Sequence, residues 1–242
     1  MVEFFFLLRY EVGVLLKLMR SSNMSTFKDY KLFRLETDFN IRSIALGVTE
    51  EDSKSIQDLL KRLKEKNEIT ELHYEHCLRV AILAADIGKF IYMPQKPLFI
   101  AGALHDIGKC EVSPLSLGKI SGWTPEDMHE LRKHVNASWR MLRGKFDFTA
   151  DVIVQHHRFQ NNGYPKRLPS KLHKYSESTK LLILDCARVV ALADVYDALH
   201  RVNDKFGETR ALTAQEVKEK MFELNSDKGL LIAALYQEGI LI

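Results

Sequence analysis

His105 and Asp106 sit side by side within Ala103-Leu104-His105-Asp106-Ile107-Gly108-Lys109. An imidazole and a carboxylate on adjacent residues can hold one divalent ion together, and the carboxylate keeps a second oxygen for another. Alone, the pair reads more readily as a helix-end histidine with a capping aspartate. His76, His134, His156, His157 and Asp194 change that balance. His76 falls on the same helical stripe as Val80 and Leu83 and therefore faces inward. His134 follows an amphipathic helix start at Pro125, and His156-His157 follow Val152-Ile153-Val154. Asp194 lies inside the apolar run Val189 to Leu199, where a carboxylate is costly to bury unless it is paired or bound to a metal. Any one inward histidine reads as a satisfied core residue. A shared metal centre accounts for all of these side chains at once.

Helices must position them. Thr49 to Asn67 reads as an amphipathic helix, with acids in its first turn and lysines in its last. Thr70 can cap a helix running to about Gly88. Gln95 to His105 is short and apolar. Thr124-Pro125-Glu126-Asp127 is a helix start that Gly144 ends. Thr149 is the expected cap of the next helix, through His157. Asn161-Asn162-Gly163-Tyr164-Pro165 forms a turn, and Ser178 to His200 a long apolar helix. Ala214 to Asn225 and Leu230 to Tyr236 complete the set. Lys31 to Val48, with partly alternating Leu32, Phe33, Leu35, Phe39, Ile41 and Ile44, reads as a short strand pair or an irregular wrap. Short connections between helices argue for one compact bundle. The expected fold is all-α: an N-terminal appendage over 1–50 and a single helical domain over 51–242.

With 242 residues the chain is long enough for one large domain or one domain plus an appendage. The net charge of +3 is small, and the basic runs are interleaved with acids, which argues against binding a nucleic-acid duplex. The three cysteines, Cys77, Cys110 and Cys186, lie far apart with no CxxC, as expected of reduced thiols in a cytoplasmic protein. Met1 to Arg20 is apolar, but Glu3, Arg9, Glu11, Lys17 and Arg20 interrupt any bilayer-spanning run, and no signal-peptide pattern fits. A packed helix, or a start at Met24, is expected there, and residues 1–24 are expected to be dispensable for chemistry.

The order His76, His105-Asp106, Asp194 resembles the H…HD…D signature of the HD-domain metal-dependent phosphohydrolases. The insertion of His134 and His156-His157, followed by Gly163-Tyr164-Pro165, resembles the HD-GYP subfamily, which hydrolyses cyclic dinucleotides, typically cyclic di-GMP. The resemblance covers roughly Thr70 to Leu199 and implies an HD-type helical bundle. It also implies a two-metal site: His76, His105, Asp106 and Asp194 around one ion, Asp106, His134, His156 and His157 around the other, with Asp106 bridging. The mixed donor set suits iron or manganese, without choosing between them. Two such ions about 3.5–4 Å apart lower the pKa of a shared water toward roughly 7, so that hydroxide can attack a phosphodiester in line. In this likeness Lys109 is the lysine that reaches the scissile phosphate. Asp197, three residues beyond Asp194, is placed to orient a ligand histidine.

Departures from the pattern bear on the substrate. The stretch between the histidine pair and Gly163-Tyr164-Pro165 lacks the usual Glu and Asp-Gly. Arg201-Val202-Asn203 stands where Arg-Pro-Tyr often follows, and the position of a third-metal glutamate is Leu72. Two metals rather than three are expected, with guanine-specific recognition in question. Arg158 could grip a phosphate and Tyr164 could stack on a base, beside Lys109 as substrate contacts. Asn161 and Asn162 more simply make the turn. His73 lies about 60° around the helix from His76, so His73 and His129 are read as surface residues or supports behind a ligand. His173 and His200 receive no role, and Trp123 and Trp139 are read as packing residues. The leading expectation is a metal-dependent phosphodiesterase acting on a cyclic dinucleotide, such as cyclic di-GMP, or a related phosphodiester. The alternatives are a nucleotide phosphomonoesterase on the same metals and a non-catalytic metal-binding signalling module.

Overall fold

The computed structural model describes residues 27–169, 174–202 and 210–242. Residues 1–26 and His173 lie outside the described residues, and with them the expectation for the N-terminal apolar stretch. Among the described residues all regular structure is helical. The α-helices are α1 (Phe27–Ala45), α2 (Glu50–Lys64), α3 (Glu68–Phe90), α4 (Gln95–Leu104), α5 (Pro114–Leu117), α6 (Pro125–Leu142), α7 (Asp147–Ile153), α8 (Glu177–Leu199), α9 (Ala214–Leu224) and α10 (Gly229–Gln237). Short 3-10 turns cover Ile107–Glu111, His156–Phe159 and Ser226–Lys228. None of these helices is long and apolar enough to cross a membrane.

Local chemistry sets most of the boundaries. Thr49 accepts from the Asp52 amide and starts α2. Thr124 and Asp127 form a reciprocal capping box at the start of α6, with Pro125 in its first turn. Gly144, with φ +85°, takes the left-handed turn beyond that helix. The expected cap at Thr70 is corrected. Asn67 accepts from the Thr70 amide while Thr70 Oγ1 accepts from the Asn67 amide, so α3 begins three residues earlier.

The strand or irregular reading of Lys31 to Val48 is also corrected, because this stretch is the body of α1. Leu32, Leu35 and Phe39 follow helical spacing and pack on the core, whereas Ile41 and Ile44, which suggested alternation, are exposed. Phe39 is buried and stacks on Phe99 of α4 with ring centroids 4.6 Å apart. Arg42 pairs with Asp86 of α3, and Lys64 with Glu36 of α1 at 2.6 Å, tying α1 to its neighbours.

The main core is shared by α3, α4 and α8, through buried Cys77, Val80, Ala84, Leu98, Phe99, Ile183, Cys186 and Val190. Two close approaches bring the chemistry-bearing segments together. A Cβ on Gly102 would lie 2.7 Å from Ala81 Cα, so only glycine lets α4 press against α3 there. A Cβ on Gly108 would lie 2.1 Å from the His134 carbonyl oxygen, so the turn after Asp106 can rest directly on α6. Ser138 Oγ accepts from the Gly108 amide at 2.8 Å and locks that contact.

If α1 belongs to this core, Phe39→Ala should destabilise the protein by about 3–5 kcal/mol, the usual cost of emptying a buried phenylalanine site. Urea or guanidinium unfolding measures it; an unchanged midpoint would mean that α1 does not pack as described.

Candidate metal centre and its cleft

Six of the seven predicted ligands are buried, and His157 is half-buried. Each comes from a different part of the bundle or from a helix end. His76 projects from the middle of α3, His134 from α6 and Asp194 from α8. His105 is the residue that ends α4, and Asp106, with φ −110° and ψ 7°, begins the following turn. On a continuous helix, adjacent side chains diverge by about 100° and could not serve one centre. The break in α4 lets both turn inward. The same device serves His156 and His157. The expected helix from a Thr149 cap through His157 is corrected: Thr149 is buried inside α7, which starts at Asp147 and ends at Ile153. The histidine pair rides the 3-10 turn beyond it, with ring centroids 3.9 Å apart.

The donors fall into two sets sharing Asp106, with all ligand atoms in each set within 4.8 Å of one another. In the first, His76 Nε2 lies 3.1 Å from Asp194 Oδ1 and 3.5 Å from Asp106 Oδ2, and His105 Nε2 lies 3.3 Å from Asp106 Oδ2. In the second, His134 Nε2 lies 3.1 Å from the other oxygen, Asp106 Oδ1, beside His156 and His157. Donors around a single ion at roughly 2.0–2.2 Å must stand about 3–4 Å apart, which these separations match.

Apart from the ion pair between Lys109 and Asp106 Oδ2, the atoms aimed at this point have few partners outside the two sets. Both Asp106 oxygens, His134 Nε2, His156 Nε2 and His157 Nδ1 are buried without a hydrogen bond among the described residues. Buried polar atoms are normally paired, and these converge on one spot. The opposite edges of the rings are occupied. His105 Nδ1 donates to the Gly102 carbonyl at 2.8 Å, and His134 and His156 donate to the carbonyls of Leu131 and Ile153. Donation at Nδ1 leaves the Nε2 lone pair facing the centre. For His76 the Nδ1 partner is Asp197 Oδ2 at 2.7 Å, and Asp197 is gripped in turn by Arg79. The contact with a histidine expected of Asp197 is the one observed.

The carboxylates and the His156-His157 pair hold the charge states that suit a cation, whereas His105 must give up a proton to bind one. Burial favours the protonated forms of Asp106 and Asp194, but His105 and its neighbours outweigh it and hold both well below the usual carboxylate range. Burial and the charge on His105 pull His156 down to about 3; burial and His156 pull His157 well below the ordinary imidazole value. Burial also works against charge on His105, yet Asp106 and Asp194 push it up to about 10. Ionised carboxylates and neutral His156 and His157 are the forms that bind metal.

Residues 73–199, more than half of the chain, match the family model of the HD domain. The chain belongs to the HD-domain family. A cyclic di-GMP phosphodiesterase of Pseudomonas aeruginosa is 34% identical over 148 aligned positions, covering 58% of this chain and 32% of that protein. The cyclic di-GMP phosphodiesterase response regulator RpfG of Xanthomonas campestris pv. campestris is 27% identical over 157 residues, covering 63% of this chain and 39% of that protein. This HD protein thus spans between a third and two fifths of the length of these curated relatives. The HD domain of L. monocytogenes phosphodiesterase PgpH superposes with a TM-score of 0.50 at 17% identity, covering 74% of this chain and 97% of that one. The likeness to PgpH is one of fold.

An open cleft of about 1070 Å³ reaches the metal-binding sets in this HD domain. His134, His157 and Asp194 form its floor, Lys109 and Arg201 bring positive charge, and Ile69, Leu117, Trp123, Met128 and Leu131 form an apolar wall. Lys109 Nζ lies 2.5 Å from Asp106 Oδ2. Tyr164 also lines the cleft, with its ring stacked on His157 at 4.6 Å and the Arg132 guanidinium 5.2 Å from its centre. Gly163 permits this placement, because a Cβ there would lie 2.4 Å from the Arg158 carbonyl. Arg158 itself is exposed and does not line the cleft. Arg201 does, and it stands where the sequence keeps only the first residue of Arg-Pro-Tyr, a position to which spacing alone assigns no role. Asn162 takes φ +59° in the turn, and Asn161 borders the cleft. Leu72 is an exposed wall residue. His129 and His200 are exposed, whereas His73 is buried beside the cleft. Trp139 packs on the core as expected, while Trp123 also faces the cleft.

Asp197→Asn should keep the fold and weaken metal binding about 10–100-fold, the usual effect of losing such a support. Competition with a chelator measures it; unchanged affinity would remove Asp197 from the metal-binding apparatus.

Proposed function

We propose that this HD protein is a metal-dependent phosphodiesterase of the HD-GYP type that hydrolyses a cyclic dinucleotide or a closely related phosphodiester. The convergence of the buried Asp106 oxygens with unpaired His134, His156 and His157 nitrogens, beside a cleft that Lys109 and Arg201 line, carries the reading. The names of the curated relatives, cyclic di-GMP phosphodiesterases, support the substrate class. Two divalent ions, iron or manganese by donor chemistry, would neutralise charge on a phosphoryl oxygen and acidify a water.

The chain's own groups supply the rest. Asp106 offers one oxygen to each donor set and so fixes the spacing between them. Asp197 and the carbonyls of Gly102, Leu131 and Ile153 hold the imidazoles in the tautomer that binds. Lys109 presents its ammonium at the cleft, where it binds a phosphoryl oxygen or gives a proton to the leaving oxygen. Arg201 is the cleft cation suited to a second contact with phosphate, in place of Arg158. Tyr164 keeps His157 in place, since its ring is already flanked by His157 and Arg132. A cleft of about 1070 Å³ is at the upper end of the usual size of ligand sites and has room for more than a mononucleotide.

The test is turnover by the iron- or manganese-loaded chain over cyclic di-GMP, a linear dinucleotide and mononucleotides, with metal content measured in parallel. Hydrolysis of a phosphodiester is expected; activity on monoesters alone would assign a phosphomonoesterase instead, and a metal-loaded but inert chain would leave a binding module. Asp106→Ala should lose both metal and turnover. Lys109→Ala should retain metal and lose about 10²–10³-fold in kcat, the scale seen when one transition-state donor is removed. Loss of metal from the lysine variant would refute its assigned role.

A further inference from the structure

His73 is the one histidine of the cleft that belongs to neither donor set. It sits one turn before His76 on α3 and is only 8% exposed. Its Nδ1 lies 3.2 Å from Lys109 Nζ. An ammonium has only donors, so His73 must be the acceptor and its ring proton must sit on Nε2. Burial and the positive charges of Lys109 and Arg201 push the His73 pKa well below its ordinary value, which keeps that lone pair available.

Lys109 has a second acceptor, Asp106 Oδ2 at 2.5 Å. That oxygen also lies 3.5 Å from His76 Nε2 and 3.3 Å from His105 Nε2, inside the first donor set. A cation bound there would compete with the ammonium for the same lone pairs. The contact with His73 meets no such competition, because His73 points to neither set. A lysine head on a flexible four-carbon stem needs a fixed acceptor to stay at one edge of a cleft. Lys109 rises from the turn Ile107–Glu111, and His73 reaches it from across the cleft on α3.

We infer that His73 is a positioning residue: it holds the Lys109 ammonium at the phosphate end of the cleft when the metal sets are filled. The role rests on the phosphodiesterase reading above only for its kinetic consequence. The contact itself can be examined without turnover.

Two measurements on the full chain decide it. The first is steady-state hydrolysis of bis(p-nitrophenyl) phosphate by manganese-loaded protein, with metal content determined for every variant. His73→Leu should lower kcat about tenfold or more, change KM less than about threefold and leave the metal bound. His73→Asn, whose Oδ1 can occupy the place of Nδ1, should restore most of the loss. In the Lys109→Ala background, His73→Leu should cost nothing further. Full additivity of the two substitutions, unchanged kcat in His73→Leu, failure of the asparagine rescue, or loss of metal would each overturn the proposal. The second measurement is the 15N spectrum of histidine-labelled, zinc-loaded protein, with the His73 signals assigned by their loss in His73→Asn. An unprotonated Nδ1 whose resonance moves in Lys109→Ala is expected; a protonated Nδ1, or a resonance indifferent to the lysine, would refute the contact. Wild-type protein inert toward the diester would sink the phosphodiesterase reading, while the spectrum would still decide whether His73 holds Lys109.

Discussion

A carboxylate buried to 1% exposure, Asp106, sets the terms for the rest of the molecule. Removing such a charge from water costs several kcal/mol even after relaxation, and the cost is tolerable only if compensating partners surround it. This protein surrounds it with His105, His134 and Lys109, each within 3.3 Å of one of its oxygens. Its two oxygens face different histidine sets, so one side chain defines the position of both. An aspartate in this place that bound nothing would be a liability in a helical core. The supporting contacts, from Asp197 on His76 to the carbonyls behind three other rings, keep the imidazole lone pairs pointed at it.

The bundle serves this carboxylate through close contacts more than through loops. Gly102 and Gly108 let α4 and the turn after it approach α3 and α6 more tightly than any side chain would allow. That approach brings His76 and His134 to opposite oxygens of Asp106. Interruptions of helix at Leu104 and Ile153 then let two adjacent pairs, His105-Asp106 and His156-His157, point inward. A continuous helix would have turned one member of each pair away by about 100°. Regular structure therefore supplies isolated ligands from helix interiors, and helix ends supply the paired ones.

Much of this was legible in the residues. Apolar runs carrying a lone histidine or aspartate announced buried polar groups, and their joint presence pointed to metal rather than to separate core histidines. Capping residues at Thr49 and Thr124 marked helix starts that the structure has. The misreadings share a cause. Ile41 and Ile44 read as interior residues and suggested alternation, yet they are exposed on α1, while Leu32, Leu35 and Phe39 carry the packing. Thr70 and Thr149 have the right chemistry for caps, but the first is the inner partner of Asn67 and the second is buried within α7. Propensity names the kind of residue at a boundary; tertiary packing chooses which candidate takes the place. Arg201 and His73 escaped for a different reason. His73 matters for its contact with Lys109, and Arg201 for its place along the cleft; neither periodicity nor spacing carries that information.

The altered segment after the histidine pair separates metal holding from substrate choice. Gly163 still fits beneath the Arg158 carbonyl, and Tyr164 still stacks on His157, although the acidic residues common in this stretch are missing. The part of the segment that remains is the part that packs on a ligand. What lies beyond the metal sets is a wall of Ile69, Leu117, Trp123, Met128 and Leu131, which offers flat and apolar surface to whatever enters. Such a wall favours a ring held by stacking and burial, while Lys109 and Arg201 meet the charged end. On the phosphodiesterase reading, discrimination between bases would have to come from the few polar groups at the cleft edge, such as Gln160 and Asn161, and from Glu75, which is already paired with Arg79. Buried hydrogen-bonding edges of a base that found no partner among them would be penalised, and that penalty, more than any contact at a metal, would set which nucleotide such a cleft took.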